Sequence, residues 1–245
     1  SAEALRRSGA DVVHISPSHH YPTGLVMPIA RRQELLRWAQ EVPARVILED
    51  DYDSEFRFVG RPIPTLFSID GGEQVVYLNT FSKTIAPSIR ISFMVLPRRL
   101  LADFRQKLGF YACTVSAFEQ YTLAQFLAGG WYEKHLSRMR KHYRQKRDTV
   151  IAAVHQSPLA PYAAITEEDA GLHFLLRLDG APPDEVLRRE AEQRGIRLAM
   201  LSDYYQCPQD APQHVLVVNY TGIDLDRLPA ALERLAALWK ENDHV

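Results

Sequence analysis

The first hundred residues alternate short β-branched runs with a helical segment and loops, and this alternation constrains the fold more than any other feature. Apolar runs at Asp11–Ser16, Arg45–Leu48, Gln74–Asn79 and Ile91–Leu96 have the length and composition of strands. Ile29–Gln40, between the first two runs, carries apolar residues at helical spacing. This order predicts an α/β fold with a mostly parallel sheet and helices on its faces.

The pattern changes in the second half of the chain. Helical periodicity covers 118–154, and further elements follow it. These later elements are predicted strands at Gly171–Leu178, Ile196–Leu201 and His214–Tyr220, and predicted helices at Pro183–Arg194 and Asp224–Lys240. We therefore expect a larger α/β domain over 1–115, a long connecting helical segment over 116–156, and a smaller C-terminal α/β domain over 157–245.

Charge and cysteine content exclude several classes of protein. The formal net charge is −1, so no overall basic excess favours nucleic acid. Cys113 and Cys207 are far apart and form no CxxC pair, which argues against a disulfide framework and a structural zinc site. No apolar run approaches the ~20 residues of a membrane span, and no signal-peptide pattern opens the chain. We expect a cytoplasmic protein without membrane contact.

Chemically active side chains follow two neighbouring predicted strands at the points where those strands end. Asp50 comes directly after one strand, Lys83 follows the next, and Arg90 comes seven residues later. In sheets of this kind, ligands bind at the carboxyl ends of the strands. A phosphorylated pyridine aldehyde requires a lysine for a Schiff base, a carboxylate for the ring nitrogen and an arginine for the phosphate. The sequence therefore predicts such a cofactor site here.

Five segments resemble the fold-type I aminotransferases, and most closely the pyridoxal phosphate (PLP) domain of the MocR/GabR branch of GntR-type transcription regulators. They are PSHHYPTG (Pro17–Gly24), LEDDYDSEFRF (Leu48–Phe58), TFSKTIAPSIR (Thr80–Arg90), the QYTLAQF…RMRKHYRQKRD helix (Gln120–Asp148) and AGLHFLL (Ala170–Leu176). The resemblance implies that 1–115 is a partial PLP-binding large domain. It also implies a preceding part with a winged-helix DNA-binding domain, a glycine-containing phosphate loop and an aromatic that stacks on the ring.

The resemblance implies a role for each matching residue. Lys83 would be the catalytic lysine that forms the internal aldimine with PLP. Asp50 would contact the pyridine nitrogen, and Tyr52 would hydrogen-bond the ring hydroxyl. The residues expected around the phosphate are Thr80, Ser82 and Arg90.

Several positions depart from the family's pattern. Asn79 and Ser92 stand where glycines are usual. Tyr21 stands where many aminotransferases have the asparagine of NPTG, and we include it among the cofactor-binding residues. Val217 occupies the register of the arginine that binds the substrate carboxylate in many aminotransferases, although another arginine such as Arg197 could substitute.

A metal site is not predicted. The run from Asp51 to Glu55 resembles the start of a calcium loop, but the sixth position of that loop must be glycine and is Phe56 here. No other cluster has ligand spacing, since His19 and His20 lack a nearby cysteine or acid at such spacing.

Two functions remain open. In the first, the chain is the effector domain of a PLP-dependent regulator that senses an amine or amino acid, and DNA is contacted only through a winged-helix domain absent from this chain. In the second, it belongs to an active class I/II aminotransferase or related PLP lyase, in which Lys83 also moves the Cα proton. The resemblance favours the regulator, with little turnover, and implies a homodimer.

Overall fold

A computed structural model describes residues 2–60 and 63–242, with side chains through residue 238. The chain folds into two compact units, 1–20 with 25–140 and 21–24 with 141–245. Predicted ranges that begin at Ser1 or run past residue 242 extend outside the described residues. No helix in the described ranges has the length and apolar character that crossing a membrane requires.

The first unit contains the predicted strand–helix–strand pattern. Its elements are α1 (Ala2–Ser8), β1 (Val12–Ile15), α2 (Ile29–Gln40), β2 (Val46–Asp50), α3 (Leu66–Asp70), β3 (Val75–Thr80), α4 (Phe81–Thr84), β4 (Ser92–Val95), α5 (Leu101–Leu108), α6 (Ala117–Ala128) and the first turns of α7 (Trp131–Gln156). The predicted helix over 29–40 has the predicted bounds.

The sheet of this unit has the strand order β1-β2-β3-β4. β1, β2 and β3 are parallel, whereas β4 runs antiparallel to β3. This arrangement confirms the predicted α/β class with a mostly parallel sheet. Because parallel strands end at the same edge, the residues that follow β1, β2 and β3 gather at that edge.

One face of the sheet is buried beneath α2. Leu35, Leu36 and Trp38 of the helix are buried in a cluster with Ile47 of β2 and Val75 of β3. Trp38 is fully buried, and side chains of this size supply much of the apolar area that stabilises a core. The packing fixes the sheet and thereby the positions of its strand ends.

A buried ion pair ties the loops to this core. Arg32 lies 3.8 Å from Glu49, and both side chains are fully buried. The guanidinium also donates to the backbone carbonyls of Pro17, Met27 and Pro64 at 2.8–3.1 Å. Glu49 accepts the backbone N–H groups of Leu66 and Phe67, both at 2.8 Å. Burial lowers the pKa of Arg32 and raises the pKa of Glu49, and these hydrogen bonds satisfy both side chains.

The second unit contains the remaining helices and strands. They are the rest of α7, β5 (Ala163–Thr166), β6 (His173–Leu178), α8 (Asp184–Gln193), β7 (Val215–Asn219) and α9 (Leu228–Asn242). β5, β6 and β7 form an antiparallel sheet in that order.

One sequence prediction fails in this unit, and one strand was missed. β5 was not predicted, and the strand predicted over Ile196–Leu201 does not form. Only an isolated bridge joins Met200 to Leu216, with one further bond from the N–H of Val217 to the carbonyl of Ala199. The segment therefore lies beside β7 without the continuous ladder that defines a strand.

Candidate functional site

The predicted cofactor residues of the first unit lie where its parallel strands end. Asp50 is the last residue of β2 and pairs in register with Leu78 of β3. Thr80, the last residue of β3, is two positions farther along the neighbouring strand. The chain then turns, and Ser92 at the start of β4 pairs back with Thr80. The residues between Thr80 and Ser92 therefore form one turn beside Asp50.

Thr80 shapes the start of this turn. Its hydroxyl donates to the carbonyl of Ile91 at 3.1 Å and accepts the N–H of Ser82, also at 3.1 Å, which caps α4. The N–H of Phe81 also donates to the Ile91 carbonyl, at 2.9 Å. Ser82 is buried and Lys83 is exposed. The turn thus fixes its own backbone while leaving the lysine amine accessible.

Arg90 ends the same turn in an unusual conformation. Arg90 follows a short 3₁₀ turn over Pro87–Ile89 and has φ 49° and ψ 29°. These angles lie in the left-handed region, which residues other than glycine and asparagine seldom adopt. Its side chain is exposed. Lys83 and Arg90 therefore place two accessible cations on one turn.

Asp50 ends the adjacent strand β2, and Tyr52 lies on the loop that follows it. The Asp50 carboxylate is 3.3 Å from Nε2 of His14 on β1 and remains about one-third exposed. Tyr52 is half-buried, and its hydroxyl lies 3.3 Å from Nδ1 of His19. The sequence therefore located six candidate residues that the first unit brings to one edge of its sheet.

Tyr21 belongs to the second unit and has partners there. Its hydroxyl hydrogen-bonds the hydroxyl of Tyr204 at 2.6 Å, and its ring packs edge-on against His173. Partial burial, together with the hydrogen bond to Tyr204, raises the pKa of Tyr21 to about 12. The hydroxyl is therefore a neutral donor and acceptor at physiological pH.

Beneath the exposed residues lies a buried polar network that the sequence did not predict. Asp51 is 2% exposed and accepts the hydroxyls of Tyr77 and Ser54 at 2.7 and 2.8 Å. Asn79 donates to the Tyr77 oxygen at 2.9 Å and to Glu55 at 3.3 Å, and its own amide oxygen accepts the N–H of Thr80. The network joins the loop after β2 to the end of β3.

The electrostatics of this network follow from its burial. Desolvation, with Asp51 as a nearby negative charge, raises the pKa of Tyr77, which therefore stays protonated and donates to Asp51. Burial beside Asp51 and Asp53 likewise raises the pKa of Glu55. The only signal in the sequence was Asn79 in place of the family's usual glycine.

Asp53 is the second buried acid of this loop. It is 2% exposed, and its carboxylate lies 2.8 Å from Nδ1 of His19. In the described part of the chain, no group of three or more His, Cys, Asp or Glu side chains is placed to hold a metal ion. These acids are instead engaged with protein hydrogen-bond donors.

Val217 lies inside the sheet of the second unit. It pairs with Leu175 of β6 and is 6% exposed, in a cluster with Leu201 and Val215. An apolar side chain at this point of β7 cannot bind a carboxylate. Arg197, the alternative cation, is exposed on the neighbouring irregular segment.

Comparison with known proteins gives one consistent family. The model of the aminotransferase class I and II family matches residues 2–240. An uncharacterized HTH-type transcriptional regulator of Bacillus subtilis, YdeL, is 37% identical over 97% of this chain and 50% of its own length. The probable rhizopine catabolism regulatory protein MocR of Rhizobium meliloti is 36% identical over 91% of this chain and 45% of its own length.

The solved structures agree with this family. Kynurenine aminotransferase of Pyrococcus horikoshii, solved in complex with PMP, superposes with a TM-score of 0.82 at 27% identity, over 98% of this chain and 59% of that one. The chain spans about half the length of the curated regulators that it matches. It belongs to the aminotransferase class I and II family, in the form found in HTH-type transcriptional regulators such as MocR.

Proposed function

We propose that this chain is the PLP-binding, aminotransferase-like effector domain of a transcription regulator that senses an amino compound. The observation that carries the proposal is the turn after β3, which presents the exposed Lys83 and Arg90 beside the strand end at Asp50. Ligand binding there would alter the regulator by favouring one conformation of the effector domain over another.

The residues at this edge fit a phosphorylated pyridine aldehyde. Within the described residues, neither Lys83 nor Arg90 forms an ion pair, so both charges are available to a ligand. Asp50 keeps part of its carboxylate exposed, with His14 beside it. An amine and a guanidinium on one turn, with a carboxylate at the neighbouring strand end, match the aldehyde, the phosphate and the ring nitrogen of such a group.

Each residue has a defined task in this proposal. When bound, PLP supplies an aldehyde carbon for an amine and a protonated ring that withdraws electrons. Lys83 Nζ holds the cofactor covalently and is placed to accept or return a proton. Asp50 keeps the ring nitrogen protonated, and Tyr52 donates to the ring hydroxyl. The phosphate is held by the turn residues Thr80, Ser82 and Arg90.

The regulator is favoured over an enzyme by the relatives and by one feature of the chain. Two curated relatives that are 37% identical carry HTH-type transcriptional regulator names and are about twice as long as this chain. Val217 is apolar where a carboxylate-binding arginine is common, and without that contact a substrate is less well oriented for proton transfer. In this proposal the complete protein is cytoplasmic, pairs with a second copy, and contacts DNA through a separate domain.

Reductive labelling tests the proposal. The complete gene product is incubated with PLP, reduced with borohydride, digested and mapped by mass spectrometry. We expect the label on the peptide that contains Lys83, and its loss in Lys83→Ala. Lys107→Ala, which removes an exposed lysine of α5, should leave the label unchanged. A label on another lysine, or none on Lys83, refutes the assignment.

A further inference from the structure

His19 and Asp53 form a buried pair between the loops that follow β1 and β2. Nδ1 of His19 lies 2.8 Å from a carboxylate oxygen of Asp53, and the two side chains are 1% and 2% exposed. The loop that carries His19 is closed by backbone bonds from Met27 to Pro17 and from His20 to Leu25. Backbone hydrogen bonds therefore hold the loop that carries His19, and the contact with Asp53 holds its imidazole ring.

The pair determines which nitrogen of His19 carries a proton. A carboxylate only accepts hydrogen bonds, so the short contact to Asp53 places a proton on Nδ1. The hydroxyl of Tyr52 lies 3.3 Å from the same nitrogen. Because a protonated Nδ1 has no lone pair, it cannot accept the Tyr52 proton. The Tyr52 oxygen can instead receive a share of the Nδ1 proton and keep its own for another acceptor.

We infer that His19 and Asp53 are positioning residues that hold the Tyr52 hydroxyl with its proton directed to the ring oxygen of the bound cofactor. The inference rests on the proposed function and adds residues that act through Tyr52. A hydrogen bond donated to the ring oxygen stabilises its negative charge, which is greatest once the lysine-linked nitrogen has lost its proton. The pair should therefore keep the pKa of the nitrogen that links the lysine to the cofactor low.

Two neighbours of the pair titrate as well. Tyr52 contacts His19, and His20 follows it in the chain. Burial, with His19 as a nearby like charge, lowers the pKa of His20. A titration that follows the absorbance of the cofactor itself separates the protonation of the cofactor from that of either neighbour.

The test is an absorbance titration of the complete gene product loaded with PLP. Asp53→Asn removes the carboxylate that holds the proton on Nδ1, so His19 can adopt the tautomer with an unprotonated Nδ1, whose lone pair accepts the Tyr52 proton. We expect the pKa of the lysine-linked cofactor to rise by about one unit. Tyr52→Phe should give a similar rise, and adding Asp53→Asn to Tyr52→Phe should give no further rise.

Further variants separate positioning from stability. His19→Phe combined with Asp53→Leu removes the pair without leaving a buried charge, so it remains usable if Asp53→Asn does not fold. It should also raise that pKa, because nothing then holds the Tyr52 hydroxyl toward the ring oxygen. Glu49→Gln alters an equally buried carboxylate that binds Leu66 and Phe67, and should lower stability without moving the cofactor's pKa.

The outcomes are distinguishable. A wild-type protein that shows no lysine-bound cofactor spectrum refutes the proposed function itself. A wild-type protein that binds the cofactor, with pair variants that titrate as it does, refutes the inference alone. A rise in Glu49→Gln equal to that in the pair variants also refutes it, because the shift would then follow general loosening of the fold.

Discussion

Replacing Asn79 by glycine, the residue usual at this position in the family, should destabilise this chain. Asn79 is 8% exposed, and its amide donates to the hydroxyl of Tyr77 at 2.9 Å and accepts the N–H of Thr80. Its bond to Glu55, at 3.3 Å, is longer and contributes less. The substitution Asn79→Gly removes all of these bonds from the buried network.

The cost can be worked from these contacts. Each of the two shorter bonds contributes about 1 kcal/mol net. Glycine inside a strand costs roughly another 0.5–1 kcal/mol in backbone entropy. We therefore expect the free energy of unfolding to fall by about 2.5–3 kcal/mol. For a chain of this size that corresponds to a melting temperature lower by roughly 5–10 °C.

Urea denaturation, followed by tryptophan fluorescence, measures this change. Asn79→Ala separates the two contributions, because it removes the hydrogen bonds and spares the backbone entropy. Tyr77→Phe combined with Asn79→Gly should cost less than the sum of the two single changes, since both act on one network. A glycine variant as stable as the wild type would show that the network adds nothing to stability.

Three further predictions follow from other parts of the chain. Gly24→Ala should destabilise the protein more than Gly9→Ala, because both glycines have φ near 70° but only at Gly24 would the new Cβ lie 2.6 Å from Glu167; equal melting temperatures would contradict this. The raised pKa of Glu55 means that the folded state holds that proton more tightly, so the free energy of unfolding should fall as pH rises from about 4.5 through the raised value. Glu55→Gln should flatten this part of the stability profile. With Val217 apolar, the complete gene product should show little transamination of amino donors with 2-oxoglutarate. Turnover at about 1 per second or faster would favour the enzyme.

The strands of the first unit and the positions of the exposed candidate site residues were predictable because both depend on local sequence. Short β-branched runs with a helix between them can satisfy their backbone and bury their apolar faces in few ways other than a parallel sheet. Once that order is known, residues directly after the strands must lie at one edge. Asp50 and Lys83 were proposed as site residues on this ground, with no knowledge of their contacts.

The buried acids were not predictable on the same ground. A run such as Asp50–Glu55 is usually solvated, yet Asp51 and Asp53 are 2% exposed, while Asp50 at the end of the strand is only partly buried. Their burial depends on donors far away in sequence, Tyr77 for Asp51 and His19 for Asp53. Without those partners the desolvation of each carboxylate would prevent burial, and local sequence does not reveal them.

The segment Ile196–Leu201 failed for a related reason. Its alternation satisfies the local criteria for a strand, but a strand also needs a partner with which it can form successive hydrogen bonds. β7 already pairs with β6 on one side, and on the other it offers this segment only a bridge at Met200 and a bond at Ala199. Pairing is a tertiary property, so short runs of this kind are ambiguous from sequence.

The backbone of Arg90 gives an independent reason to assign this residue to ligand binding. A left-handed conformation costs a side-chain-bearing residue on the order of 1 kcal/mol relative to glycine, so stability alone would favour glycine at φ 49°. The side chain does not offset this cost by packing, because it is exposed. Strained conformations of this kind persist mostly where function requires them. A guanidinium two residues before β4, on the same turn as Lys83, is suited to hold an anionic group of the ligand that we propose the lysine binds.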